Sequence, residues 1–145
     1  MKNVNTLPTE RFGVPFRIAG SITNDALESA WISAGEFDRL CVVLGVATAA
    51  GANTVTVTLQ RASDASGTGA ETAATLYSKS TSAALTAFIN YGLDREKGNA
   101  KRFVRLRVSG SSANALALTA LGLAFDTAFS PANLLNAGSV EIVNP

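Results

Sequence analysis

The sequence predicts an all-β fold, a single antiparallel β-sandwich or a jelly-roll-like barrel. Two strands carry the prediction. In Asn53–Arg61, Val55, Val57 and Leu59 alternate with Thr54, Thr56, Thr58 and Gln60. In Phe103–Ser109, Val104, Leu106 and Val108 alternate with Phe103, Arg105 and Arg107. Period-two alternation gives a strand one buried and one wet face, a pattern typical of antiparallel sheets. A third observation is length. At 145 residues the chain fits one domain and can bury roughly 70% of its unfolded surface without staples.

Residues 1–13 read as an N-terminal arm, polar apart from Leu7 and Phe12. Residues 14–128 form the sandwich. Its first strand is Val14–Thr23, with Phe16, Ile18 and Ile22 on one parity and Pro15 at the start or on an edge. Asn24-Asp25 marks a turn, and Ala30-Trp31-Ile32 a short second strand whose apolar context places Trp31 in the core. Glu36 and Asp38 follow at a turn containing Gly35.

Arg39–Ala47 is apolar on both parities, as in strands buried on both faces or lying under an oligomer contact. The Gly-containing segment 49–52 joins it to Asn53–Arg61 as a predicted hairpin. Residues 63–70 make a flexible loop; residues 71–82 and Phe88–Tyr91 read as strands. After the charged turn 93–100 comes Phe103–Ser109, whose Val104, Leu106 and Val108 are expected across the core from Val55, Val57 and Leu59. A second predicted hairpin joins it to the apolar Ala115–Phe125.

Residues 129–145 form a C-terminal tail. Ser130 as N-cap, Pro131 at the first helical position and Gly138 as stop predict a short helical turn. Val140–Val143 adds a last strand, to this molecule or to a neighbour.

Composition narrows the chemistry. Charged residues are 16% of the chain, below the usual ~25%, and net charge is +1. No global field draws nucleic acid or a membrane. With no His, neither a Ser-His-Asp nor a Cys-His arrangement can be built, nor a zinc site that needs His. The one cysteine, Cys41, sits in an apolar run and reads as a buried structural thiol, with no intrachain disulfide available to it. The sequence presents neither an apolar signal core nor a bilayer-length apolar stretch, and it reads as soluble and intracellular when made.

Catalytic residues, cofactors and metals are all expected to be none. Glu36 and Asp38 share a face only if they lie on a strand, and two acids beside a turn are ordinarily solvated. Asp64 reads as a turn former, since its loop lacks the oxygen ligands of a calcium site. Gly67-Thr68-Gly69 is a partial phosphate-loop pattern that reads as plain loop. Lys101, Arg102, Arg105 and Arg107, with Phe103, form the one basic cluster. It reads as a solvated face or a contact for an acidic protein, with nucleic acid unlikely.

Several of these segments together resemble a known family. A Gly/Ala turn followed by Thr-Val-Thr-Val-Thr-Leu-Gln-Arg-Ala-Ser-Asp-Ala-Ser-Gly, and the later Lys-Arg-Phe-Val-Arg-Leu-Arg-Val, resemble small β-sandwich virion proteins of tailed bacteriophages, the capsid cement or decoration proteins. The likeness covers roughly residues 36–125. It implies a non-enzymatic virion protein, made in the host cytoplasm, that binds the outer capsid surface and bridges major capsid subunits. It also implies a homo-oligomer, dimer or trimer. The expected contact residues are Leu7, Phe12, Arg105, Arg107, Phe129, Leu134, Leu135, Val140 and Ile142, reached by β-augmentation and hydrophobic anchoring. The alternative is a glycan- or host-binding module of a phage tail or fibre.

Overall fold

A computed structural model describes residues 12–93, 96, 98–125, 140–143 and 145. The described residues form two packed sheets, a β-sandwich. Sheet I has the order β1-β9-β4-β7-β10, from Phe12–Ile22, Leu116–Phe125, Arg39–Val46, Leu85–Gly92 and Val140–Val143. Sheet II has the order β2-β8-β5-β6, from Ala26–Glu28, Phe103–Ser109, Asn53–Ala62 and Glu71–Thr81. A two-residue β3, Ile32–Ser33, also pairs with β8. Pairing is antiparallel except for β10 on β7, which is parallel.

The two alternating strands behave as their pattern dictates. Val55, Val57 and Leu59 are fully buried, as are Val104, Leu106 and Val108. They do not, however, face each other across the core. β8 lies directly beside β5, with Val57 opposite Val108 and Leu59 opposite Leu106. The layer across the core is sheet I: Phe16, Ile18 and Ile22 of β1, Leu40, Val42 and Leu44 of β4, Ile89 of β7, and Leu116 and Leu118 of β9.

Neither predicted hairpin around these strands forms. β4 ends in sheet I and β5 begins in sheet II; β8 lies in sheet II and β9 in sheet I. Residues 47–52 and 110–115 therefore cross between layers. The reason is the buried side chain of Asn53, 1% exposed at the start of β5. Its Nδ2 donates to the carbonyls of Asn114 (2.8 Å), Thr23 (3.2 Å) and Ser112 (3.4 Å), and its Oδ1 accepts from the Ser111 amide (2.9 Å). Asn114 Nδ2 in turn donates to the Ala52 carbonyl at 3.0 Å. One amide side chain thus pins both layer crossings and the turn after β1. Gly110 completes the corner: a Cβ there would overlap the Thr23 carbonyl oxygen.

The true sequential hairpin is β5–β6. Its loop is closed by Asp64, whose Oδ1 accepts from the Ser66 and Thr68 amides at 2.9 and 3.1 Å. Gly67 and Gly69 hold φ of 85° and 63°, which L side chains rarely adopt. Asp64 is the turn former that the sequence predicts. Hydrogen bonds from Thr68 hold its carboxyl below the usual carboxylate range.

Other boundaries shift. β1 starts at Phe12, inside the segment read as the arm. Ala30 and Trp31 are not in a strand; the local pairs are β2 and β3. Ala34–Glu36 makes a single 3-10 turn, capped by the Ser33 hydroxyl on the Gly35 amide, so Glu36 and Asp38 do not share a strand face. The predicted helical turn at 130–138 lies outside the described residues. Val140–Val143 adds to this molecule, on β7.

At the far end of the sandwich from Asn53, Glu96 is buried at 3% exposure. It accepts from the Tyr91 hydroxyl at 2.9 Å and from Arg61 at 3.3 Å. This ties the β7–β8 connection to β5. We expect Tyr91→Phe to cost about 1–2 kcal/mol, because a buried carboxylate loses one donor. A urea midpoint unchanged from wild type would show that the bond contributes nothing.

Candidate partner-binding surfaces

Among the described residues, no group of three or more His, Cys, Asp or Glu side chains is placed to hold a metal ion. No helix there is long and apolar enough to cross a membrane, which says nothing of strands. The described surface consists of the edges and outer faces of the two sheets.

The edges are blunted. β6 is long but pairs with β5 through two register shifts and carries Lys79. β1 has a register shift between Gly13 and Phe16, at Pro15. β10, β2 and β3 have four, three and two residues. Bulges, prolines, charges and short length are the usual devices that discourage strand addition. They argue against β-augmentation as the main mode of contact. A hollow of about 440 Å³ beside β6 is lined by Thr75–Lys79 and Val143.

The outer face of sheet II is polar and internally paired. Thr56 and Ser78 hydroxyls meet at 3.1 Å across β5 and β6. Arg105 points outward from β8 and is held by Glu28, at 2.6 Å, and by Gln60 Oε1, at 2.8 Å. Arg107 shares the same Glu28 at 3.3 Å. Lys101 and Arg61 both bind Glu71 at 2.7 Å, and these cations hold its carboxyl below the usual range, Lys101 foremost. The basic cluster thus presents less free positive charge than its count implies.

Trp31 belongs to this outer face and not to the core. It is half-buried, with the Arg105 guanidinium 4.6 Å from its ring centroid. A Cβ on Gly67 would lie 2.7 Å from its Nε1, so the β5–β6 loop closes one edge of the indole. The apolar neighbours Ala30 and Ile32 pointed inward by composition alone. Only Ile32, opposite Val104, packs against the core.

The outer face of sheet I differs. The residues alternating with the core positions of β4, β7 and β9 are Cys41, Val43, Gly45, Thr86, Phe88, Asn90, Thr119, Leu121 and Leu123. Val43 stands between Leu121 and Phe88, and Gly45 between Thr119 and Thr86. Leu121 is the large hydrophobic that stands exposed among the described residues, at 36%. Arg17 of β1 is exposed and stands in register beside Leu121, and Arg39 lies at the end of β4. A dip of about 350 Å³ opens around Gly45, Thr86, Thr119 and Leu85.

Cys41 is on this face yet 1% exposed, between Leu123 and Asn90. Burial pushes its thiol up to about 11 from an ordinary 9.0. The neutral thiol is the form the fold favours, so its contribution is complete below pH 9 and is lost as pH rises through 11. We expect a thiol reagent at pH 8 to label native Cys41 at least ~100-fold more slowly than the urea-unfolded chain. Equal rates would contradict this burial.

Of the contact residues expected from sequence, Leu7, Phe129, Leu134 and Leu135 lie outside the described residues. Phe12 opens β1, opposite Phe125. Val140 and Ile142 stand in register beside Thr86 and Phe88. Arg105 and Arg107 sit on sheet II, paired with Glu28. Among the described positions, Phe12, Val140 and Ile142 lie on sheet I, and Arg105 and Arg107 on sheet II. Sequence reasoning missed the sheet I face as a unit. Its signal was the second apolar parity of β4, Cys41 and Val43, matched by Leu121 and Leu123.

No protein-family model matches the chain, and no curated protein matches it. Among solved structures it is similar to the CBM22-1–GH10 modules of Clostridium thermocellum xylanase 10B, crystallised with xylohexaose. The identity is 7% and the TM-score 0.44, over 91% of this chain and 28% of that one.

Proposed function

We propose that this chain is a non-enzymatic structural protein of a bacteriophage virion, which binds the outer surface of the assembled shell and cements it by bridging major capsid subunits. The observation that supports the reading is the apolar outer row of β4, β7 and β9 on sheet I, bordered by Arg17 of β1. Val43, Phe88 and Leu123 are half-buried there, and Leu121 is exposed. A contiguous apolar patch of this kind marks contact with another protein. The resemblance of the β5 and β8 segments to capsid cement proteins gives that contact a setting. Bridging is multivalent: each copy contributes a modest interface, and the array gains avidity that one copy lacks.

A glycan- or host-binding module of a tail or fibre is the second reading, favoured by the surface position of Trp31. Against it, one face of the ring is already occupied by Arg105. Mixing the purified chain with phage heads that lack it, and sedimenting them, separates the two. Saturable co-sedimentation at a fixed ratio to capsid subunits is expected. A chain that stays in the supernatant while binding on a glycan array sinks the cement reading.

A further inference from the structure

We infer that the outer face of sheet II is a docking site for an acidic protein segment, in which a carboxylate of the partner binds end-on to the guanidinium of Arg107, beside the Trp31–Arg105 stack. The inference goes beyond the cement reading and does not depend on it.

Strand order sets the place. β8 lies between β2 and β5, inside its sheet, and turns Phe103, Arg105 and Arg107 outward. Register puts Arg107 between Glu28 of β2 and Thr58 of β5, and Arg105 beside Gln60. Trp31 immediately precedes β3 and holds its ring 4.6 Å from the Arg105 guanidinium.

The two arginines differ in how they are held. Arg105 is fixed from three sides. Glu28 binds its Nη1 at 2.6 Å and its Nη2 at 2.8 Å, Gln60 Oε1 accepts from its Nε at 2.8 Å, and Trp31 stacks on it. Arg107 meets the same Glu28 through Nε alone, at 3.3 Å, and its side chain is 38% exposed. Its two Nη groups make no hydrogen bond among the described residues. One carboxylate therefore serves two guanidiniums, and a positive charge with a free pair of parallel donors is left over. The acids nearest along the strands are already engaged. Asp25 Oδ1 accepts from the Thr23 amide at 2.7 Å, and Glu71 binds Lys101 and Arg61.

These features select a carboxylate on a protein. The end-on edge of a guanidinium matches the two oxygens of a carboxylate. Arginine beside a pre-ordered tryptophan is the composition of interface hot spots, and little side-chain freedom remains to be lost on binding. The neighbours Thr56 and Ser78 are short, so a partner chain can lie over the face. A nucleic acid would need cations for successive phosphates. Lys101 and Arg61, the other cations on sheet II and its end, are bound to Glu71.

The test is a titration of the full chain with dansyl-labelled hexaglutamate at low salt, read by anisotropy. Saturable binding is expected, with a dissociation constant below ~1 mM. Arg107→Gln should weaken it at least ~10-fold, the effect of losing a charge-assisted hydrogen-bonded pair. Arg17→Gln, which removes an exposed cation from sheet I, should leave it unchanged. Unchanged urea midpoints verify that both variants keep the fold. No saturable binding of hexaglutamate would overturn the inference. So would an Arg107→Gln variant that binds like wild type, an equal loss from Arg17→Gln, or labelled hexathymidylate binding as tightly as the peptide.

Discussion

Replacing Asn53 by alanine is expected to destabilise the protein by about 3–4 kcal/mol. Four hydrogen bonds converge on this amide, from 2.8 to 3.4 Å, and the side chain is 1% exposed. Each typical internal hydrogen bond contributes about 1 kcal/mol, and a partner left buried without a replacement costs its desolvation as well. Urea denaturation should show a lower midpoint with an unchanged slope, since the surface exposed on unfolding stays the same. Asn53→Asp separates hydrogen bonding from packing. It keeps the acceptor for the Ser111 amide but turns an oxygen toward the carbonyls of Thr23, Ser112 and Asn114. It should therefore be at least as damaging as alanine despite its near-identical shape. An aspartate variant as stable as wild type would show that these bonds do not hold the corner.

Phe16→Ala is the other large effect, expected at about 3–5 kcal/mol. Phe16 is fully buried on β1 and lies over Gly122 of β9. A Cβ on Gly122 would be 2.8 Å from the Phe16 Cβ and 2.6 Å from its ring, so the glycine is the seat of the ring. Gly122→Ala alone should therefore also destabilise, through overpacking. In the Phe16→Ala background the clash with the ring is gone while the 2.8 Å approach to the Cβ at position 16 remains, so the cost of Gly122→Ala should shrink without vanishing. That non-additivity is the signature of direct contact, read from a double-mutant cycle of urea midpoints. Additive losses would mean that the two residues do not share one site.

These two positions show what the sequence could and could not convey. Phe16, Ile18 and Ile22 are legible as core because alternation and burial obey the same period. The strands β5 and β8 are legible for the same reason. Layer assignment is not, because a short loop with glycine serves a hairpin and a layer crossing equally well. The deciding groups, the Asn53 amide and the bare Cα of Gly110, act through partners that are distant in sequence: Asn53 reaches Thr23, Ser111, Ser112 and Asn114.

Trp31 misleads for a related reason. Apolar neighbours predict burial, but its ring meets Arg105, a partner set by strand order. The outer face of sheet I was half legible. Val43 and Cys41 advertise a second apolar parity on β4, but only the β4–β9 register brings Leu121 beside the Gly45 dip. The arms at both ends, offered as anchors by their isolated leucines and phenylalanines, fall largely outside the described residues.

The central claim is that this sandwich works by contact on a viral shell. A cryo-electron-microscopy map of the purified phage particle tests it most directly. The account predicts density for a two-sheet sandwich on the outer shell surface, in contact with at least two neighbouring capsid subunits. Absence of the chain from the particle, or its density confined to the tail fibres, would contradict it.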